Sequence, residues 1–149
     1  MPDTFDPDIP YSERSLAIAC TRGRHAIVTQ FNELLAEAHL TEQQWRVLRV
    51  ISDYGPVALS EVCQRSCIHK VSMTRIIRAL TERGYIESKR NTEDLRAYNV
   101  ELTPSGHEFL EQMKPRANRI SRDIVERFGA EKSAQLLSLL KELAALKAD

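Results

Sequence analysis

The chain has 149 residues, 42% hydrophobic and 28% charged, which suits one folded domain with a real core. It has no apolar run near ~18 residues, so no membrane span is expected, and its acidic, proline-rich start (Met1-Pro2-Asp3-Thr4-Phe5-Asp6-Pro7-Asp8) is not a signal peptide, so a cytoplasmic location is expected. The net charge is zero, yet residues 64–90 carry seven cations (Arg65, Lys70, Arg75, Arg78, Arg83, Lys89, Arg90) against Glu82 and Glu87, a local +5 that leaves −5 elsewhere and suits a phosphate backbone.

Residues 1–11 read as a flexible tail. Ser12 to about His39 reads as one long helix, with Leu16, Ala19, Cys20, Gly23, Ile27, Phe31, Leu34, Leu35 and Ala38 recurring at three and four. At ~1.5 Å per residue it would be roughly 40 Å long and overhang its own domain, as a helix does that packs on a partner chain. Thr41 with Gln44 forms a capping box for the next helix, which buries Trp45, Leu48 and Ile51 and ends at Gly55-Pro56.

Ser60 is expected to cap a short helix, Glu61 to about Arg65, followed by a turn at Ser66-Cys67-Ile68. A second helix runs from His69 to Arg83 and stops at Gly84. It points Met73, Ile76, Ile77 and Leu80 inward and Lys70, Ser72, Arg75, Arg78 and Glu82 outward. That is a helix-turn-helix, with the second helix placed to enter a DNA groove. Tyr85–Arg90 and Arg96–Leu102 alternate at period two, with Ile86, Tyr98, Val100 and Leu102 expected inside. Asn91 to Leu95 supply the turn of this hairpin, or wing.

Thr103-Pro104 opens a helix that continues to Phe128 across Pro115. After Gly129 a last helix, Ala130 to Lys147, carries Leu136, Leu139, Leu140, Leu143 and Leu146. Such a stripe needs cover, and a homodimer through the N- and C-terminal helices provides it. The expected fold is mainly α with a small β-hairpin: a winged helix-turn-helix. Residues 12–149 form one domain, with 40–102 as the DNA-binding lobe and 12–39 and 103–149 as dimerisation helices.

The residues that carry a family likeness are Leu40-Thr41-Glu42-Gln43-Gln44-Trp45-Arg46-Val47-Leu48, Ser72-Met73-Thr74-Arg75, Glu82-Arg83-Gly84-Tyr85-Ile86, Asp94-Leu95-Arg96 and Leu102-Thr103-Pro104-Ser105-Gly106. In this order and spacing the chain resembles the MarR family of bacterial transcriptional regulators, from about Ser15 to Leu143. The first run and Lys114-Pro115-Arg116 make it most similar to the branch that represses homoprotocatechuate (4-hydroxyphenylacetate) degradation. The family's wing often has Asp where Asn91 stands here, and losing that charge leaves the wing arginine less rigidly held.

These readings assign residues to double-stranded DNA, as a palindromic operator. Arg75 suits guanine O6 and N7 through its planar fork, or alternatively a phosphate. Ser72 and Thr74 suit phosphate or base edges, with partial packing the alternative for Thr74. His69, Lys70 and Arg78 suit phosphates, as do Lys89 and Arg90 on the adjacent strand. Arg96 is expected at the wing tip in the minor groove, oriented by Asp94.

A small aromatic acid is the expected effector. The resemblance implies a site between the dimer helices and the winged lobe, for which Arg22, His25 and Trp45 are the candidates; each also fits a surface, dimer or core role. Arg46 and His107 are weaker candidates.

Three cysteines (Cys20, Cys63, Cys67) argue against a disulfide framework, and the spacing of Cys63, Cys67 and His69 implies no metal site. Cys63 reads as a core filler. Cys20 admits a thiol-based redox-sensing repressor, with Arg24 four residues on. A winged-helix module for protein partners is the other alternative. No phosphate loop, metal-spaced His/carboxylate set or nucleophile elbow is present, so neither enzyme activity nor a cofactor is expected.

Overall fold

In the computed structural model, which describes residues 6–93 and 97–147, the helices begin at Tyr11, one residue inside the expected tail. Helix α1 (Tyr11–Arg14) is followed by α2 (Leu16–Val28), a 3₁₀ turn (Thr29–Phe31) and α3 (Asn32–Glu37). The single helix expected over 12–39 is therefore interrupted twice. Ser15 is extended (φ −76°, ψ 116°), and its hydroxyl accepts from Ile18 N at 3.2 Å, so it caps a new helix rather than continuing the old one. Farther on, the consecutive β-branched Ile27, Val28 and Thr29 crowd the preceding turn. Thr29 Oγ1 donates to Ala26 O at 3.3 Å, which fits the tighter winding there.

The remaining elements are α4 (Glu42–Tyr54), β1 (Val57–Ala58), α5 (Leu59–Ser66), α6 (Lys70–Glu82), β2 (Ile86–Arg90), β3 (Tyr98–Leu102), α7 (Pro104–Phe128) and α8 (Ala130–Ala144). The described residues form two compact units. One is Asn32–Pro115; the other comprises the residues up to 31 and those from 116 onward.

The Asn32–Pro115 unit holds most of the buried apolar side chains. Val47, Leu48 and Ile51 of α4, Val62 of α5, Met73 and Leu80 of α6, Ile86, Val100 and Leu110 are almost wholly buried. The capping box that starts α4 is complete: Thr41 Oγ1 accepts from Gln44 N at 3.1 Å and Gln44 Oε1 accepts from Thr41 N at 3.0 Å. Three antiparallel strands lie in the order β1-β3-β2, with Val57 opposite Val100 and Ile86 opposite Leu102. The short β1 adds an edge to the expected two-stranded hairpin. Its two residues are too few to show an alternation in the sequence.

The start of α5 also differs. The helix begins at Leu59, with Ala58 at the cap position and no side-chain cap bond, so Ser60 lies inside the first turn rather than capping it. Tyr98 was expected inside but is 49% exposed; it sits opposite Arg90 at the turn end of the β2–β3 ladder, away from the Ile86–Leu102 end where the buried side chains lie.

The other unit has little core of its own. Neither α2 nor α8 has a buried residue, and Ala117 is the buried hydrophobic residue among the described part of this unit. Leu16, Ile27, Val125, Phe128, Leu136, Leu139, Leu140 and Leu143 are all exposed. Within it, Arg127 donates to Gln30 Oε1 at 3.1 Å and pairs with Asp123 at 2.9 Å.

Candidate nucleic-acid interface

The turn between α5 and α6 is made by Cys67, whose backbone is left-handed (φ 55°, ψ 47°). Ile68 N then donates back to Cys63 O at 3.1 Å, closing α5 and reversing the chain. Arg46, reaching from α4, donates to Ser66 O at 2.8 Å and pairs with Glu42 at 3.2 Å. Arg46 thus holds the end of α5. Beside this turn is an open hollow of about 580 Å³ lined by Ser60, Cys63, Gln64, Cys67, Ile68, His69 and Lys70.

Helix α6 presents its start to solvent. His69 is the cap residue rather than part of the helix, makes no side-chain cap bond, and is exposed, as is Lys70. No acidic side chain sits in the first turn to neutralise the partial positive charge of the helix end. Met73, Ile76 and Leu80 face the core, with Ile77 half-buried beside them. Thr74, Arg75 and Arg78 are exposed and Ser72 is half-buried at the edge. The Thr74 hydroxyl donates to Lys70 O at 3.1 Å, which leaves its oxygen free to act as an acceptor. The sequence reading passed over Val71, which is 87% exposed on the same face as Thr74, Arg75 and Arg78. The spacing i, i+3, i+4, i+7 was the signal that could have placed it there.

A network at its root fixes the hairpin to α6 and α7. Gly84 (φ 78°) ends α6 in a Schellman motif: Tyr85 N donates to Leu80 O at 3.1 Å and Gly84 N to Thr81 O at 2.9 Å. Thr103 Oγ1 donates to Gly84 O at 2.5 Å and accepts from Gly106 N at 3.0 Å, and Thr103 N donates to Tyr85 O at 3.0 Å. Toward the tip, Asn91 N donates to Ala97 O at 2.9 Å, and Asn91 Oδ1 accepts from Glu93 N at 2.8 Å. Asn91 therefore shapes the turn through its own amide. Asp94 and Arg96 lie outside the described residues.

The cations of residues 64–90 divide into two groups. Arg65 pairs with Glu61 at 2.8 Å and lies over the Tyr54 ring at 3.8 Å. Arg83 caps backbone carbonyls of Ala38 and His39. Lys89 pairs with Glu101 at 2.6 Å and Glu87 at 3.6 Å; the Glu101 hydrogen bond pushes the ammonium pKa up and holds the Glu101 carboxyl below its ordinary range. Among the described residues, Lys70, Arg75, Arg78 and Arg90 have no carboxylate partner, and Arg90 sits 5.9 Å from the Tyr98 ring centre. The positive charge available to a polyanion is thus concentrated on α6 and the hairpin.

This arrangement of a helix-turn-helix followed by a cationic hairpin agrees with known proteins. The MarR family profile matches residues 40–98. The chain is 30% identical to the HTH-type transcriptional regulator FarR of Neisseria gonorrhoeae over 133 residues, 89% of this chain and 91% of that protein. The chain belongs to the MarR family of transcriptional regulators. It is also 30% identical to the homoprotocatechuate degradative operon repressor of Escherichia coli, covering 89% of each chain. The solved structure of NadR in complex with 4-hydroxyphenylacetate superposes with a TM-score of 0.80 at 30% identity, covering 89% of this chain and 94% of that one. The mainly helical, winged architecture expected from the sequence is the one these MarR relatives share.

In this MarR-family chain the remaining candidate residues fall on different elements. Arg22 and His25 are exposed on α2, where Arg22 donates to Ser12 O at 3.4 Å. Trp45 is buried on α4, with the guanidinium of Arg49 over its ring at 5.2 Å. Arg49 is a cation beside the indole that the sequence reading did not name; its i+4 spacing from Trp45 was the available signal. Cys20 and Cys67 are exposed and Cys63 is half-buried, lining the hollow at the turn. Among the described residues no group of three His, Cys, Asp or Glu is placed to hold a metal ion, and no helix is long and apolar enough to cross a membrane.

Proposed function

We propose that this regulator is a repressor that binds a palindromic operator as a homodimer and leaves it when a small aromatic acid binds. The observation that carries the DNA half is the outer face of α6: exposed Thr74, Arg75 and Arg78 beyond an acid-free helix start bearing His69 and Lys70. In this reading Arg75 meets a guanine edge, with Ser72 and Thr74 on neighbouring polar groups. His69, Lys70 and Arg78 contact phosphates, Lys89 and Arg90 add to them, and Arg96, steadied by Asp94, enters the minor groove.

The dimer reading rests on the exposed leucines of α8. Residues 12–39 and 103–149 would pair two copies, each presenting its 40–102 lobe, so that the two α6 helices meet half-sites ~34 Å apart. The effector reading is supported by the relatives named for homoprotocatechuate degradation and bound to 4-hydroxyphenylacetate. Arg22 and His25 of α2 are candidate cations for the effector's carboxylate, and on α4 Trp45 with Arg49 offers a ring and a cation. The protein acts by binding rather than by catalysis, in the cytoplasm.

The test is a gel shift on an operator selected from random duplexes, with and without hydroxylated phenylacetates, benzoates and cinnamates. Arg75→Ala and Arg96→Ala are expected to weaken binding, and one acid class is expected to release the wild type. Unchanged affinity in both variants sinks the DNA assignment, and a complex that no acid disturbs sinks the effector assignment.

A further inference from the structure

Val71 is 87% exposed, more than any other large hydrophobic residue among those described. An apolar side chain in that position has no account in the fold: it covers no core and caps no helix. Its neighbours along α6 are polar: Lys70, Ser72, Thr74 and Arg75. Its place on the helix is informative. Val71, Thr74, Arg75 and Arg78 recur at i, i+3, i+4 and i+7, opposite Met73, Ile76 and Leu80 in the core. Val71 therefore lies on the outermost line of α6, one turn before Arg75.

We infer that Val71 reads the C5-methyl group of a thymine, an inference that rests on the DNA-binding reading of α6. Val71 has no donor or acceptor in its side chain, so it gains nothing from a phosphate. In the major groove the thymine methyl is the apolar feature; guanine, adenine and cytosine present polar atoms that Val71 would leave unpaired. One helical turn is ~5.4 Å, against ~3.4 Å per base pair. The thymine is therefore within about two base pairs of the base that Arg75 reads. Arg75 and Val71 together make a two-part code, one polar and one apolar, on adjacent turns.

The test uses the full-length protein and the operator it selects from a pool of random duplexes. Each thymine is replaced in turn by deoxyuridine, which removes only the methyl group. One thymine per half-site, near the guanine that Arg75 requires, is expected to cost the wild type about threefold to fivefold in affinity. Val71→Ala is expected to lose a similar factor on the thymine operator and to show no further loss on deoxyuridine. Val71 is exposed, so this variant keeps the fold, which a circular dichroism melt checks. The inference is overturned if the wild type is indifferent to deoxyuridine at every position, or if Val71→Ala keeps the full penalty. Either result with Arg75-dependent binding intact leaves the DNA reading standing. A chain that selects no duplex at all overturns both.

Discussion

The guanidinium of Arg83 donates to the carbonyl of His39 at 2.6 Å and to that of Ala38 at 2.9 Å. Arg83 is the C-cap of α6, and His39, with φ 54°, follows the end of α3. The side chain continues over the rings of Tyr85 at 4.9 Å and Phe109 at 5.9 Å. One arginine thus ties α3, α6 and the start of the hairpin together through carbonyls that the α3 terminus would otherwise leave to solvent. Arg83→Ala is expected to lower unfolding free energy by about 1–3 kcal/mol in urea melts, because charge-assisted hydrogen bonds and ring contacts are both lost. The slope of log affinity against log salt for DNA is expected to stay the same, since Arg83 meets no phosphate.

Gly106 has a different reason to be fixed. A Cβ there would lie 2.1 Å from the carbonyl oxygen of Tyr85, which is backbone and cannot swing away. Gly106→Ala must therefore push α7 off the root of the hairpin and strain the Thr103 bonds to Gly84 and Gly106. A loss of about 1–3 kcal/mol is expected in denaturant unfolding, with the alanine's better helix propensity too small to offset it.

These two residues show where the sequence was readable. Gly84 and Thr103-Pro104 were legible because a left-handed helix end and an N-cap are local events written in adjacent residues. The α6 core face was legible because period 3.6 is a local pattern too. Arg83 entered the sequence analysis only as one charge in the basic run of residues 64–90, since its partners are 44 and 45 residues away and nothing nearby marks them. The ion pair of Lys89 was not legible for the same reason: Glu101 reaches it from β3, a pairing set by strand register. The break at Ser15 was not legible because a single serine suits an exposed helix surface and a cap equally well. Val71 was overlooked because apolar residues are assigned inward by default, whereas its angular position puts it outside.

Arg75 and Lys70 are expected to separate base reading from phosphate attraction. Both are exposed and, among the described residues, have no carboxylate partner, but Arg75 lies on the outer line of α6 and Lys70 at its side, by the hollow. Arg75→Ala should cost about 1–3 kcal/mol of discrimination and flatten the preference at one base pair per half-site. Lys70→Ala should weaken binding to all sequences alike and lower the salt slope by about 1. Competition titrations against mixed-sequence duplex at several salt concentrations measure both.

The Lys89–Glu101 pair gives the hairpin a pH signature. Glu101 loses its proton more readily in the folded chain than its ordinary value of 4.5, through the Lys89 hydrogen bond. Its contribution to stability is full above about pH 4.5 and is lost as pH falls through the lowered folded value. Lys89 is raised above 10.5, so its share is full below that value and is lost as pH rises through the folded one. Carbon-detected NMR titration of the Glu101 carboxyl should show the depressed midpoint, and Lys89→Met should return it to the ordinary range. Glu101→Gln should do the opposite for DNA: it releases the ammonium, and the salt slope should steepen if Lys89 then reaches phosphate.

The leucines of α8 bear on whether two copies act together. Leu136 is 42% exposed, Leu139 61%, Leu140 39% and Leu143 39%, and they recur at three and four along one helix. An apolar stripe of this kind is stable in water when a partner covers it. Leu139→Glu places a charge in the stripe without touching the buried residues of the Asn32–Pro115 unit. Light scattering is expected to show a monomer at concentrations where the wild type is a dimer. Each lobe would then meet its half-site alone, so operator affinity should fall by about 10²–10⁴ as the second contact stops being intramolecular. Non-specific binding per lobe should change little, because the α6 cations are untouched. A Leu139→Glu protein that stays dimeric and holds the operator with wild-type affinity places the pairing surface elsewhere on the chain.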